Sequence, residues 1–316
     1  MSDLPTPVTR RWSRDRSIHT MSSRSNWKQN VIGWVFAAPW TLIFLLFLLG
    51  PIVASLILSF TDFGLVNLAN PFKLHFIGIQ NYLRLFRDPL FLTAAFNTLY
   101  FVVVGVPLNV VLSLLLALGV NQGVSYLKSL FRVGYYLPVV TSIVALAVIW
   151  RYIYNPDVGL LNSFLHLFGL PGADWLGNPN LAMPAIIIMS VWHNMGSAMI
   201  IFLAGLQGID KSLYEAANID GAGIWGQFRS ITLPLLRPVL LFVTVVTSIG
   251  FLQVFAEPFV MTNGGPLNRT LTVSIYLYQQ GFSFFHQGYA SAMAYVMFIA
   301  IVLFALVQFR LLRPQT

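Results

Sequence analysis

Cysteine is absent from the 316 residues. Disulfides, thiolate catalysis and thiolate-ligated metals are therefore excluded. Charge is scarce as well: only 9% of residues are Asp, Glu, Lys or Arg, against roughly 25% in an ordinary soluble domain. A soluble enzyme needs more surface charge than this. The five histidines (His19, His75, His166, His193 and His286) lie far apart, with no pair at helical spacing, so no zinc site is expected. Acidic residues are few, and the carboxylates are isolated from one another. No paired general acid and base emerges, and no catalytic residue is assigned.

What is present is apolar. Hydrophobic residues make up 57% of the chain and the mean hydropathy is +0.75. A disordered chain has the opposite balance. The expectation is an all-α integral membrane protein. A helix needs about 20 mainly apolar residues to cross a bilayer, and six stretches qualify, near 31–60, 94–121, 130–152, 182–206, 236–258 and 287–311. The first contains Pro39 and Pro51 and is expected to be kinked. It is longer than a signal-peptide core, so it reads as a retained anchor.

The net charge of +8 is explained by its distribution, not by nucleic acid. Arg10, Arg11, Arg14, Arg16, Arg24 and Lys28 precede the first apolar stretch. With the N-terminus inside, 13 Lys and Arg fall in cytoplasmic segments and 5 outside, as the positive-inside rule requires. Both termini are expected in the cytoplasm. The domain plan is a basic, disordered tail over 1–30 and one transmembrane domain over 31–316. Met21 is an alternative start.

Residues 207–238 carry more local signal than a linker needs. Asp210 or Ser212 is placed to cap a helix through Leu213, Glu215, Ala216 and Ala217, with Glu215 in its first turn. Gly221 and Gly223 allow a tight turn. A second short helix, Ile224 to Ile231, is expected to stop before Pro234. The product is a helix–turn–helix outside the lipid with small residues at its tip. It fits a groove on a partner, or else an amphipathic hairpin lying on the membrane. Lys211-Ser212 do not complete a phosphate-binding loop, because Asp210 occupies the required glycine position.

The same segment carries a family resemblance. Glu215-Ala216-Ala217, three residues, Gly221, nine residues, then Ile231, Leu233 and Pro234 resembles the signature loop of membrane subunits of binding-protein-dependent ABC importers. Asp220, Ala222, Phe228 and Pro238 match the extended form found in sugar permeases. Phe76, Gly78, Asn81, Tyr82 and Asn97-Thr98 resemble that family's approach to the second span. Thr262-Asn263-Gly264-Gly265-Pro266 resembles the turn after its fifth span, of the MalF/UgpA-like type.

The resemblance implies a six-helix permease in a bacterial plasma membrane. It would form a heterodimer with a second permease, two cytoplasmic ATP-binding cassette subunits and an extracytoplasmic solute-binding protein. ATP and Mg would be bound by those ATPase subunits and not by this chain, which has no cofactor of its own. The solute would be a di- or oligosaccharide, or a related polyol or glycoside, moved by alternating access. Glu215, Ala216, Ala217, Asp220, Gly221, Ala222, Ile231, Leu233 and Pro234 would couple the ATPase to the permease.

A sugar pathway calls for amides, hydroxyls and aromatic faces. Ser190, Asn194 and Ser197 share one helical face, with Trp192 and His193 between them in sequence. Thr247, Phe251, Gln253 and Glu257 are the corresponding residues of the fifth stretch. His193 is expected to be a satisfied donor between helices. An ion-coupled transporter acting without ATPase subunits is the alternative, and Glu257 is the one carboxylate within an apolar stretch that could serve it.

Overall fold

A computed structural model describes residues 27–70, 74–122 and 128–312, with backbone alone at 27–31, 68–69, 122, 128–129 and 312. The arginine-rich part of the expected tail, 1–26, lies outside the described residues, as do Lys73 and Arg313. The chain falls into two compact units, Met1–Val53 and Ala54–Thr316. All regular elements among the described residues are helical, apart from an isolated bridge between Thr61 and Phe76.

The first apolar stretch is helical throughout: α1 (Trp27–Ile43), a π-helical segment Phe44–Leu49 and α2 (Gly50–Ser59). Where a proline kink was expected, the helix carries that π segment. Gly50 N–H bonds to Leu45 O, five residues back. The wider turn sits directly before Pro51, which lacks an N–H and crowds the preceding turn.

A short helix α3 (Leu65–Ala69) and the loop after it lead to α4 (Gln80–Leu85). Asn81 pins this region by donating to Ser59 O at 2.9 Å and Thr61 O at 2.8 Å. The second span is α5 (Pro89–Gln122), which starts five residues earlier than expected at 94. Asp88 explains the early start. Its Oδ1 accepts from the amides of Leu90 at 3.0 Å and Phe91 at 3.4 Å, and Pro89 suits the first helical position.

The expected third span is not one helix. It is a pair, α6 (Lys128–Val140) and α7 (Ile143–Ile153), bent by 99°. Pro138 deprives α6 of a backbone donor, and Thr141 turns its hydroxyl back onto Leu137 O at 3.0 Å. Ser142 then leaves the helix at ψ 123. After α8 (Leu160–Leu167), the fourth span is α9 (Ala182–Gln207), one residue longer than expected.

Beyond α10 (Lys211–Ile219), the chain turns into α11 (Ile224–Gln227), a π-helical segment Phe228–Thr232 and α12 (Leu233–Leu252), which form one continuous helix. The expected stop before Pro234 does not occur. The π turn precedes the proline, as at Pro51, and the helix runs on through Pro234 and Pro238. The fifth span therefore ends at Leu252 rather than 258. Gln253 leaves the helix, and a new helix, α13 (Ala256–Thr262), carries Glu257 and Pro258 in its first turn, where proline is tolerated. After α14 (Val273–Tyr278) and a π segment Gln279–Ser283, the last span is α15 (Gln287–Leu312).

Among the described residues, five helices are long and apolar enough to cross a membrane, or six if the bent pair counts as one span. The core is built by α5, α9 and α12, with Phe101, Ile186, Met199, Phe202 and Leu236 almost fully buried. α6 approaches α9 closely at Gly196, where a Cβ would collide with the Tyr135 carbonyl. Close helix approach at small residues is the usual device of membrane packing.

The segment that follows the glycine-rich turn, over 268–273, is clamped from α5. Asn97 Nδ2 donates to Asn268 O at 2.8 Å and Leu271 O at 2.9 Å, and Thr98 Oγ1 accepts from the Val273 amide at 3.0 Å. The residues that carried the resemblance at 81, 97 and 98 are thus loop anchors.

Candidate functional site

Two sites emerge. The first is the segment between α9 and α12. Asp210 caps α10, its side chain accepting from the Ser212 amide at 2.9 Å. That hydrogen bond holds the Asp210 carboxyl below the usual range. With the cap at 210, Glu215 lies beyond the first helical turn, which corrects the expected placement. Glu215 is exposed.

The turn after α10 is a Schellman motif. Gly221 takes φ +76. Ala222 N–H reaches back to Ala217 O at 2.8 Å and Gly221 N–H to Asn218 O at 3.1 Å. This is the left-handed helix ending that glycine permits at least cost.

Two side-chain bridges close the hairpin. Tyr214 Oη and Thr232 Oγ1 are 2.9 Å apart. Gln227 Nε2 donates to Asn218 Oδ1 at 2.6 Å and to Ala222 O at 2.9 Å. Of the nine predicted coupling residues, Glu215, Ala216, Ala217, Asp220, Gly221 and Ala222 gather at α10 and its turn. Ile231, Leu233 and Pro234 lie on the continuous helix behind. Sequence reasoning did not single out the large apolar side chains beside the small tip: Ile219, Ile224 and Trp225 are 87%, 78% and 72% exposed. Large apolar residues clustered in a polar segment mark an interaction surface. Their flanking of the small residues was the signal available in the sequence.

The second site is a cavity of about 590 Å³ between α9 and α12. Six of the eight predicted pathway residues line it: Asn194, Ser197, Thr247, Phe251, Gln253 and Glu257. Ser190 stands behind them, fully buried, and donates to Glu257 Oε1 at 3.2 Å. Asn194 Nδ2 donates to Ser190 O at 2.8 Å. Trp192 does not join the cavity; its ring packs on Trp150 at 5.4 Å. Phe251 contributes one edge, because most of its ring is seated against Phe101 at 5.1 Å in the space that Gly105 leaves open. Ser248 faces away, accepting from Gln308 of α15 at 2.7 Å.

His193 also lines the cavity. Its ring nitrogens are buried beside the Thr141 backbone, outside the geometry of a full hydrogen bond. The expected interhelical contact of His193 is thus a marginal one, with the Thr141 backbone at the break between α6 and α7. A correction concerns Glu257. It sits in α13, so none of the candidate spans contains an Asp or Glu. The cavity wall is mostly apolar, with a few amides and hydroxyls, the Glu257 carboxyl, the His193 ring and no Lys or Arg. Such a lining suits a hydroxyl-rich solute. No group of three or more His, Cys, Asp or Glu able to hold a metal occurs among the described residues.

Comparison with known proteins agrees with this architecture. The family model "Binding-protein-dependent transport system inner membrane component" matches residues 91–316. The lactose transport system permease of Rhizobium radiobacter is 39% identical over 93% of this chain and 99% of its own length. The arabinooligosaccharides transport system permease of Bacillus subtilis is 33% identical over 93% of this chain and 94% of its own. A chain from the crystal structure of a bacterial ABC transporter involved in alginate import superposes with a TM-score of 0.76 at 26% identity, covering 92% of this chain and 99% of that one.

Proposed function

This chain belongs to the family of binding-protein-dependent transport system inner membrane components, and from that premise we propose how it works and what it carries. It is a multi-pass permease subunit of a plasma-membrane ABC importer for carbohydrate and is not itself an enzyme. The solute class we propose is a di- or oligosaccharide or a related glycoside. The observation that carries this is end-to-end similarity to a lactose permease and an arabinooligosaccharide permease. The amides and hydroxyls of the cavity lining support it.

In the proposed mechanism both termini and the 207–238 hairpin face the cytoplasm. A second permease completes the pathway, and an external binding protein delivers the solute. Two ATPase subunits bind ATP and Mg, and each grips one permease hairpin. Glu215 and the small residues through Ala222 enter the ATPase groove, with Ile219, Ile224 and Trp225 against its rim. Because α11, the π segment and α12 form one helix, movement at the hairpin is transmitted as a rigid body to the cavity wall at Thr247 and Phe251. ATP and the loaded binding protein must favour the same outward-open state, since only differential affinity shifts a population.

The test is purification of the tagged chain from native membranes in mild detergent, then mass spectrometry and uptake assays in liposomes. Co-purification of a second permease and an ATPase, with ATP-dependent disaccharide uptake, is the expected result. Recovery of the chain alone, transporting without ATP, would refute the reading.

A further inference from the structure

A third pocket, of about 640 Å³, lies where the second and last spans begin. It is lined by Gln80, Leu83, Arg84, Arg87, Asp88 and Tyr276. Pro89 starts α5 and Gln287 starts α15, against which α4 packs. The pocket is therefore at the level where these spans leave the apolar layer. It is far in sequence from the hairpin and shares no lining residue with the solute cavity.

The pocket holds two cations and one anion, and they do not pair. Asp88 Oδ2 accepts from the Tyr276 hydroxyl at 2.6 Å and the Tyr289 hydroxyl at 2.7 Å. Its Oδ1 accepts from the α5 amides. The carboxylate is thus committed to neutral donors. Arg84 is stacked over the Tyr289 ring at 4.6 Å, which fixes its position through cation–π attraction. Neither Arg84 nor Arg87 forms an ion pair among the described residues. Both are exposed. Ordinary interfacial arginines point into water. Here Leu83 lines the pocket beside them, and Ile79, Phe86 and Leu90, 60%, 62% and 42% exposed, flank its residues in sequence.

We propose that this pocket binds the headgroup phosphate of an anionic phospholipid. Arg84 and Arg87 hold the phosphate oxygens, and Leu83, Phe86 and Leu90 lie along its acyl chains. Guanidinium groups match phosphate geometry through paired N–H donors. Basic pockets between spans are suited to anionic headgroups. The exposed apolar rim distinguishes a lipid from a soluble phosphate, because only the lipid buries it. Two arginines against one carboxylate leave the pocket net positive, and the neutral donors already occupy Asp88, so a headgroup with a full negative charge is favoured over a zwitterion.

The test uses native mass spectrometry of the purified transporter containing the full chain. The probes are phosphatidylglycerol, phosphatidylcholine and inorganic phosphate, added separately. Phosphatidylglycerol is expected to be retained at least about tenfold better than phosphatidylcholine. Arg84→Gln with Arg87→Gln is expected to abolish that preference, and Arg84→Lys with Arg87→Lys to keep part of it, which separates charge from misfolding. Equal retention of both lipids by the unaltered protein would overturn the proposal. Undiminished preference in the glutamine pair would do so too, as would displacement of bound lipid by millimolar inorganic phosphate. Protection of the two arginines by the solute-binding protein in place of lipid would reassign the patch to a protein contact.

Discussion

Ser190 and Glu257, 67 residues apart in sequence, are joined by a 3.2 Å hydrogen bond from the serine hydroxyl to the carboxyl group. That bond ties the buried face of α9 to the first turn of α13, and so closes one end of the cavity. Glu257 lines the cavity itself, whereas Ser190 acts through it. Glu257→Gln keeps an acceptor for Ser190 and is expected to assemble normally while losing uptake by at least about tenfold. Ser190→Ala is expected to lower stability by about 1 kcal/mol, the net worth of one hydrogen bond, with a smaller loss of uptake. Thermal melting and uptake measured on the same preparations check both. Parental uptake by Glu257→Gln would remove Glu257 from the pathway.

Gly221 is constrained by its backbone and not by space. Nothing lies within 4 Å of a Cβ placed there, but φ is +76. Left-handed backbone costs an ordinary L-residue about 1–2 kcal/mol, and asparagine less. Gly221→Asn is therefore expected to lose less coupling than Gly221→Ala. Gly221→Asp adds a charge to the turn and is expected to uncouple ATP hydrolysis from transport. The readouts are uptake and stimulation of ATPase activity by loaded binding protein. Normal uptake by Gly221→Asp would count against a coupling role.

Trp225 is exposed and stacks on Phe228 at 5.5 Å. Burial of such a residue at an interface is typically worth about 2 kcal/mol or more. Trp225→Ala should weaken recovery of the ATPase with the permease by about tenfold or more. The melting temperature should scarcely move, because little is packed there in the chain alone. A stable, fully assembled Trp225→Ala transporter would place the contact elsewhere.

Asp88 supplies a pH dependence with a definite sign. Burial pushes its carboxyl up, but hydrogen bonds from Tyr276, Tyr289 and the Leu90 and Phe91 amides outweigh this and hold it below the ordinary range. A depressed carboxyl in the folded state stabilises above its unfolded value, about 3.9. The contribution is lost as pH falls through the lower folded value. The melting temperature should thus be indifferent to this group from pH 8 to pH 5 and fall below about pH 4. Asp88→Asn should melt lower at neutral pH and lose the part of the acid-dependent decline that Asp88 contributes.

Much of this molecule was legible without coordinates. Composition and the long continuous apolar runs pointed to helices in a membrane, since a helix satisfies its backbone within one such run. The last span and the fourth fell within a residue or two of their expected bounds, because continuous apolar runs have clear edges. The hairpin cap at Asp210 and the turn at Gly221 were readable because capping and left-handed backbone are local matters, decided by a few adjacent residues. The chemistry of the cavity was also visible, as amides and hydroxyls on one helical face.

Other features depended on neighbours distant in sequence. Proline was expected to stop the helix at Pro234, but a π turn absorbed it, and only packing against the surrounding helices decides whether such a turn is worth its poorer hydrogen bonds. The 99° bend at Thr141 and the transfer of Glu257 to a separate helix were hidden for the same reason: apolar runs continue across both breaks. Trp192 and Asn194 are near neighbours in sequence, yet Trp192 packs on Trp150 while Asn194 meets the cavity. Residue types and their helical periodicity determined which side chains were available for solute and partner. The tertiary structure decided which of them face open space, because that depends on where α5, α7 and α13 come to rest against α9 and α12.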